Sequence, residues 1–276
     1  MKISFIIPVF NEEIHIEALL VNLKRVSNSI FIVDSGSTDK TLEIGRQHGC
    51  SIYVGKWDTF SEKLNWAIEH TPYQSEWVMR VDGDELLSDE LIESLINFST
   101  TTIPNESEIN YLIIKKDFYF LGRQIRHGGY RSLKVERIFK RETVRYENRR
   151  VDEHLVNITR GILISGSIIE NSRASFQQWL SKHIMYAEKD VQMVSEESPM
   201  GDFNKLISKR KIDRFLKISL YGRLPLFIRP FLYWVYRYLI LLGFLDGKAG
   251  FVYHTFHAFI YRQIQDTIIY EKKLSK

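Results

Sequence analysis

Three short polar segments stand where apolar runs stop: Pro8-Val9-Phe10-Asn11-Glu12, Asp34-Ser35-Gly36-Ser37-Thr38-Asp39 and Asp82-Gly83-Asp84-Glu85. Carboxylates gathered at one edge of a sheet repel one another unless something positive lies between them. Carboxylate and phosphate oxygens are hard donors that suit Mg2+ or Mn2+, so a divalent cation and a diphosphate would fit such an edge. Capping of the following helix is the alternative use of these acids. Asp39 suits that role, but two Asp flanking Gly83 directly after an apolar run exceed what capping needs. A further acidic pair, Asp152-Glu153, offers a general base for a hydroxyl group, against a plain ion pair with Arg149 or Arg150.

The elements that must position these groups follow from periodicity. Ile3 to Val9, Ile30 to Val33, Ser51 to Val54 and Trp77 to Val81 are runs that predict strands, the first continuously apolar. Between them, Ile16, Leu19, Leu20 and Leu23 recur at helical spacing behind Asn11, which reads as an N-cap. Leu42 and Ile44 follow Ser37-Thr38-Asp39. Phe60, Leu64, Ala67 and Ile68 share a face, and Ser88 stands before Leu91, Ile92, Leu95 and Ile96. This βαβαβαβα order predicts an α/β fold, a mostly parallel sheet with helices on both faces and ligands at the carboxyl ends of its strands. Past residue 105 the extended stretches Asn110 to Lys115, Leu133 to Lys140 and Gly161 to Ser165 predict mixed or antiparallel strands. A long helix is expected from Phe176 to Val194, with His183 as a core or groove residue.

Charge is segregated although the net formal charge is only +4. Lys115 to Arg150 holds 12 Lys/Arg against 4 Asp/Glu, and Phe203 to Arg229 holds 8 against 1. Anionic partners are the expectation for both stretches, since ordinary surfaces intersperse the signs. No nucleic-acid-binding motif accompanies them. The single Cys50 excludes an internal disulfide and reads as a small buried residue. The apolar start is too short for a signal peptide. The apolar run after Pro230 is interrupted by Arg237 and ends at Gly243, short of the ~20 residues a spanning helix needs. Arg229, Phe231, Trp234 and Arg237 instead predict an interfacial helix, with cations at the headgroups and aromatic groups in the acyl boundary. A buried C-terminal helix or a dimer contact is the competing expectation.

Taken together and in this order, the three polar segments resemble the N-terminal half of family-2 glycosyltransferases of GT-A fold. Val151-Asp152-Glu153-His154, the Trp179 to Glu188 segment and Gly243 to Gly250 are similar to the bacterial branch that builds lipopolysaccharide core, capsule or exopolysaccharide. The resemblance implies that Pro8, Val9, Asn11 and Glu12 lie near the nucleotide, Asp34 and Ser35 at the base, and Asp82, Gly83 and Asp84 beside ribose and metal. It implies donor contacts for Lys63 and Asn65, and Asp82 and Asp84 as metal ligands for Mn2+ or Mg2+. It maps the family's catalytic acid onto Glu153, with Asp152 beside it. One departure is Glu170-Asn171, where many relatives carry a His. The Gln-x-x-Arg-Trp motif of processive synthases is absent, which implies transfer of one residue.

The expectation is an inverting, metal-dependent transferase moving one sugar from a nucleotide diphosphate sugar, by the resemblance a UDP-sugar, to a glycan or lipid-linked acceptor. It would sit peripherally on the inner face of the cell membrane. The expected division is a catalytic domain over 1–200, with a nucleotide-binding half to 105 and an acceptor half from 106, then a helical membrane-associating extension over 201–276. A metal-dependent nucleotidyltransferase is the second enzyme class, disfavoured because Pro8-Val9-Phe10-Asn11 is not a glycine-rich phosphate loop. An inactive membrane-surface scaffold is the non-catalytic alternative, against which Asp82, Asp84 and Glu153 weigh.

Overall fold

A computed structural model describes residues 3–73, 75–100, 108–131, 133–147, 154–196, 221 and 224–274, without the side chains of 189 and 192–196. By contacts the chain forms two compact units, the first comprising 1–124 with 132–173 and the second 125–131 with 174–276.

The first unit is built on strands β1 (Ile3–Val9), β2 (Ile30–Asp34), β3 (Ser51–Val54) and β4 (Trp77–Arg80), which pair in parallel in the order β3-β2-β1-β4. Every residue of β1 and β2 is buried, as parallel strands covered on both faces require. Alternation then sorts the side chains. Ile3, Phe5, Ile7 and Val9 pack with Leu19, Leu20 and Leu23 of helix α1 (Ile16–Lys24) and with Leu91 and Leu95 of α4 (Asp89–Thr100). Ile6, Phe31 and Val33 face Leu64, Ala67 and Ile68 of α3 (Phe60–His70) on the other side. Each such fully buried side chain contributes about 1.5–3 kcal/mol.

Among the described residues the sheet has nine strands and continues as a mixed sheet. The strand β5 (Glu85–Leu87), which periodicity missed because it is so short, sits at the far edge and pairs with β11 (Arg160–Glu170). Between them and β4 run β6 (Ile109–Phe120), carrying β7 (Arg123–Ile125) at its side, and β8 (Lys134–Lys140). Strand β8 is antiparallel to β4 and β6, and β11 is parallel to β6 and antiparallel to β5. A separate pair, β9 (Arg145–Tyr146) with β10 (Leu155–Val156), completes the strands. Helix α2 (Thr41–Gln47) follows β2.

Two local expectations separate here. Ser88 does cap α4, its hydroxyl accepting from the Leu91 N–H at 3.2 Å. Asn11 does not cap α1, whose N-cap is His15. Asn11 instead adopts a left-handed φ of 56° and turns its amide toward the next loop, a conformation Asn tolerates better than most residues.

The second unit is helical. Helix α5 (Phe176–Glu196) buries Ala187 and Val191 and packs on α8 (Tyr261–Leu274), where Tyr261 and Gln265 both donate to Asp190 at 2.6 and 2.7 Å. These contacts group α5 with the C-terminal helices, whereas the expected division put it with the sheet. His183 bonds its neighbouring turn, Nδ1 to the Trp179 carbonyl at 2.9 Å. Helix α6 (Ile228–Val235) runs into a π-helical turn to Ile240, and α7 (Gly247–His254) runs into a second to Ile260. The segment 125–131 is held by Asp246, whose carboxylate accepts the N–H groups of Arg126 and His127 and meets His127 Nδ1 at 2.7 Å. Gly128 has φ +67°, and a Cβ there would lie 2.1 Å from the His254 ring, so only glycine fits.

The expectation of Arg229 and Arg237 as membrane-facing cations is corrected. Both are buried. Arg229 donates through Nε to Asp266 at 2.7 Å, with a second bond from Nη2, beneath the Tyr221 ring. Arg237 donates to the Gly128 carbonyl and stacks on Tyr130 and Tyr233. A lone guanidinium amid apolar helices costs less when it finds a carboxylate, a carbonyl or an aromatic face than when it crosses an apolar surface. Phe231 is exposed, as expected, and Trp234 is half-buried. Among the described residues no single helix is long and apolar enough to cross a membrane, though the bent pair Ile228–Ile240 and Gly243–Leu274, at 71°, has the length and composition together.

Candidate functional site

The carboxyl ends of β1, β2 and β4 converge as the motif spacing predicts, and their loops are stitched to each other. Asn11 donates its N–H to the Ser37 hydroxyl and accepts the Thr38 N–H on Oδ1, both at 2.8 Å. The Glu12 N–H reaches Thr41 Oγ1 at 2.8 Å, and the Glu13 N–H reaches Asp39 at 3.0 Å. Asp39 also accepts the Thr41 N–H, the first of α2, although the N-cap itself is Lys40. Asp34 is fully buried and folds back on its own loop, accepting the N–H groups of Gly36 and Ser37 at 2.8 Å and the Ser37 hydroxyl. Both of its oxygens are therefore engaged in shaping the turn.

Lys63 is the centre of this cluster. Helix α3 begins behind Thr59, whose side chain accepts the Glu62 N–H, and this start aims Lys63 under the loops. Its Nζ, 4% exposed with the rest of the residue, donates to the Val9 carbonyl at 2.8 Å and to Ser35 Oγ at 2.9 Å. Burial pushes its pKa down to about 8, against the opposing pull of Asp34 and Asp82. Asn65, two residues after Lys63, is used differently: both ends of its amide bond the Tyr146 backbone at 2.9 Å, tying α3 to β9.

Below the Asp82-Gly83-Asp84-Glu85 turn lies a network that the sequence reading did not isolate. Glu85 is buried and accepts the Asp82 N–H at 2.9 Å, Lys116 Nζ at 2.7 Å and Arg137 Nη2 at 3.3 Å. Lys116 continues to Glu170 at 2.6 Å. Asp82 receives Arg80 through both Nε and Nη2, at 2.9 and 3.1 Å, and Arg137 at 2.9 Å. Burial alone would raise the Asp82 carboxyl, but the guanidinium groups of Arg137 and Arg80 outweigh it and hold it well below the carboxylate range. Burial would likewise lower Lys116, yet Glu85 and Glu170 hold it above its ordinary value. One local signal was present: Arg80 ends the otherwise apolar β4, two residues before Asp82. Part of the basic stretch from Lys115 therefore neutralises the protein's own acids.

Gly83 is required by close approach, since a Cβ there would meet Glu12 Cγ at 2.7 Å. Glu12 thus lies flat against the acidic turn. It also meets His15 Nδ1 at 2.7 Å, while His15 Nε2 accepts the Arg173 N–H at 2.8 Å. An N–H can only donate, so the ring proton sits on Nδ1, facing Glu12. The segment after β11 is tied to the same turn by the Asn171 N–H, which reaches the Asp84 carbonyl at 3.3 Å.

Among the described residues no group of three or more His, Cys, Asp or Glu is arranged as a metal cage. The donor set present still suits Mg2+ or Mn2+, which bind through one or two carboxylates plus substrate phosphates. Asp82 has two guanidinium partners, and Asp84, half-buried at the end of the turn, is the second carboxylate of the pair that could hold the ion. Asp152 and Glu153 lie outside the described residues.

With this geometry in view, comparisons with known proteins are informative. The chain is 33% identical over 94 residues to an uncharacterized glycosyltransferase of Rickettsia bellii, covering 34% of this chain and 31% of that one. An uncharacterized glycosyltransferase of Rickettsia typhi is 31% identical over 94 residues, covering 34% and 32%. The matched region is thus about a third of the length of these curated relatives. Among solved structures, the mannosyltransferase PcManGT from Pyrobaculum calidifontis, in complex with GDP-Man and Mn2+, is similar with a TM-score of 0.53 at 15% identity, over 97% of this chain and 86% of that one. S. aureus TarS 1-349 is similar with a TM-score of 0.50 at 15% identity, over 100% and 92%. These likenesses show the fold, a GT-A-type α/β sheet followed by helices. The model for "Glycosyl transferase family 2" matches residues 4–151, the segment that contains the three polar loops and α3, and the chain belongs to that family.

Proposed function

We propose that the chain transfers a single sugar, with inversion, from a UDP-sugar to a glycan or lipid-linked acceptor of the lipopolysaccharide or capsule type, at the cytoplasmic face of a membrane. The observation that carries this reading is Lys63, a buried ammonium bonded to Val9 and Ser35 and held between the carboxylates of Asp34 and Asp82. It stands where a diphosphate would be met by a cation at the strand ends. Names of similar structures support the donor class, since PcManGT binds GDP-Man with Mn2+. UDP, rather than GDP, rests on the motif resemblance.

In this reading Asn11 and Glu12 wall the nucleotide on one side and the Asp82 turn walls it on the other. The divalent ion, Mn2+ or Mg2+, would be held by Asp84 and would neutralise charge developing on the diphosphate. Glu153 takes the proton from the acceptor hydroxyl as its oxygen bonds the anomeric carbon. The bond from that carbon to the diphosphate oxygen breaks on the opposite face, and the electron pair leaves with the diphosphate, so configuration inverts. Neighbouring side chains on an extended segment point to opposite faces, so only one of Asp152 and Glu153 can face the donor.

The test is transfer assayed with a panel of nucleotide sugars, alongside UDP binding with and without Mn2+. Glu153→Gln is expected to lose ~10²- to 10⁴-fold in turnover while keeping donor affinity, with Asp152→Asn milder. Full transfer by both variants removes the assigned base, and failure of every nucleotide sugar to bind removes the donor class.

A further inference from the structure

The second unit presents an apolar surface from which charge has been withdrawn. Phe231, Leu232, Leu239, Ile240, Leu242 and Leu245 are all exposed, Ile240 by 67% and Leu245 by 55%. No Asp or Glu occurs from Arg214 to Leu245, and the arginines that punctuate Ile228 to Leu245 are turned inward, Arg229 to Asp266 and Arg237 to Gly128. Asp246, the next acid, points its carboxylate at the N–H groups of Arg126 and His127. A water-facing helix pair would carry its cations outward.

The turn between the arms is also closed to solvent needs. The N–H groups of Leu241, Leu242 and Leu245 bond the carbonyls of Tyr236, Leu239 and Leu242, and the Leu241 carbonyl accepts the Gly128 N–H at 2.8 Å. Backbone that enters hydrocarbon must be satisfied internally, and this turn largely is. Beside it lies a cleft of about 460 Å³ lined by Tyr238, Phe244, Gly247, Phe251 and Val252, with the exposed Lys248 at its rim.

We propose that the turn from Tyr236 to Leu245, with Phe231 and Leu232 beside it, inserts into one leaflet of a bilayer containing anionic lipid, Lys248 meeting the headgroups. The inference deepens the membrane setting of the reading above and rests on it only there. Length argues for a single leaflet. The arm Ile228–Ile240, at ~1.5 Å per residue, reaches only ~20 Å against a hydrocarbon core of ~30 Å. The chain then bends by 71° and its second arm ends in Glu271, Lys272 and Lys273. Charge favours an anionic surface, because the sequence preceding α6, from Phe203 to Arg223, holds 7 Lys/Arg against 1 Asp/Glu.

The test uses the full chain and flotation with vesicles of phosphatidylcholine alone or mixed equally with phosphatidylglycerol. Wild type is expected to float with the mixed vesicles and more weakly with the neutral ones. Ile240→Asp and Leu245→Asp should each lower partitioning at least about tenfold, because each removes one buried aliphatic side chain. Ile184→Asp, at an exposed position of α5, should float as wild type does. UDP binding in solution, unchanged in all of them, separates loss of this surface from loss of the transferase reading. Equal flotation of Ile240→Asp and wild type overturns the proposal, as does complete release by high salt. A lipid-free dimer that Ile240→Asp dissociates, with no flotation of wild type, assigns the face to a second copy instead.

Discussion

Around the acidic turn of the first unit, Arg80, Asp82, Arg137, Glu85, Lys116 and Glu170 alternate in sign within hydrogen-bond distance of one another. Around His254 in the second unit, neither ring nitrogen has a hydrogen-bond partner, although the residue is fully buried. Both regions bury ionisable groups, but the first does so by pairing charges and the second by keeping its imidazoles uncharged. Pairing keeps Asp82 ionised through moderate pH, since Arg137 and Arg80 hold its carboxyl well below the ordinary range. The second unit also pairs Arg229 with Asp266, which turns that cation away from the exposed apolar side chains. The difference teaches that one chain can reconcile an anion-handling site with an apolar surface by segregating how it satisfies polarity.

The sharpest way to break this contrast is to remove the cation that serves two acids. Arg137→Met leaves Asp82 and Glu85 each short of a partner, and breaking a buried pair costs about 3–5 kcal/mol. Hydrogen exchange of amides in β4 and β8 should speed up accordingly, with Arg137→Lys intermediate. Arg229→Met strands only Asp266, so a smaller loss, about 3 kcal/mol, is expected in α6 and α8. If the Arg137 variant left β4 and β8 unchanged, charge pairing would not be what holds the turn.

Much of the first unit was legible because its signals are local. Continuous apolar runs marked β1 with both termini and β2 to within one residue, and Ser88 marked α4 because a cap acts within a turn. The acidic loops were legible by type, yet their internal wiring was not. That Asn65 bonds Tyr146, or that Asn11 bonds Ser37 and Thr38, depends on which groups meet across the fold. Asn11 read as a cap by type, but its left-handed backbone links the loops instead. Arg229 and Arg237 read as surface cations because a sequence window holds no sign of Asp266 or Gly128. The same blindness hid Arg137, whose acids lie 55 and 52 positions away at Asp82 and Glu85.

Acid separates the two units next. Burial pushes His254 down to about 4 from the ordinary 6.5, helped by Arg237, and it lowers His257 and His183 in the same direction. A histidine kept neutral in the folded state binds fewer protons than its unfolded counterpart, so stability is complete above 6.5 and is lost as pH falls toward 4. At about 1.4 kcal/mol per unit, His254 alone accounts for on the order of 3 kcal/mol across that window. Asp82 moves oppositely: its stabilisation is present above the ordinary 3.8 and survives the whole window. Exchange in α7 should therefore accelerate between pH 6.5 and 4 while exchange in β4 does not, and His254→Leu should flatten the first effect. Parallel acceleration of β4 would erase the contrast.

The smallest expected effect falls where the first unit departs from its own rule. Lys63 is the cation there whose burial is not overcome by its acids, which is why its pKa lies at about 8 and not above the ordinary lysine value, as Arg137 and Lys116 do above theirs. Its two bonds go to a carbonyl and a hydroxyl, both neutral acceptors that a diphosphate oxygen would outcompete. In the free protein the ammonium is charged below 8 and neutral above, so UDP affinity should be steady at pH 6 to 7 and fall as pH rises through 8. A hydrogen bond to a charged group is worth about 1.5–3 kcal/mol, so Lys63→Met should weaken UDP binding by roughly tenfold or somewhat more at pH 7. The variant should also lose the alkaline fall, because the titrating group is gone, and its affinity at pH 9 should approach that of wild type. Calorimetric titration of UDP with Mn2+ at both pH values, on both proteins, measures all four terms of this cycle. An alkaline fall that persists undiminished in Lys63→Met would assign the titration to another group and leave Lys63 as a brace between Val9 and Ser35.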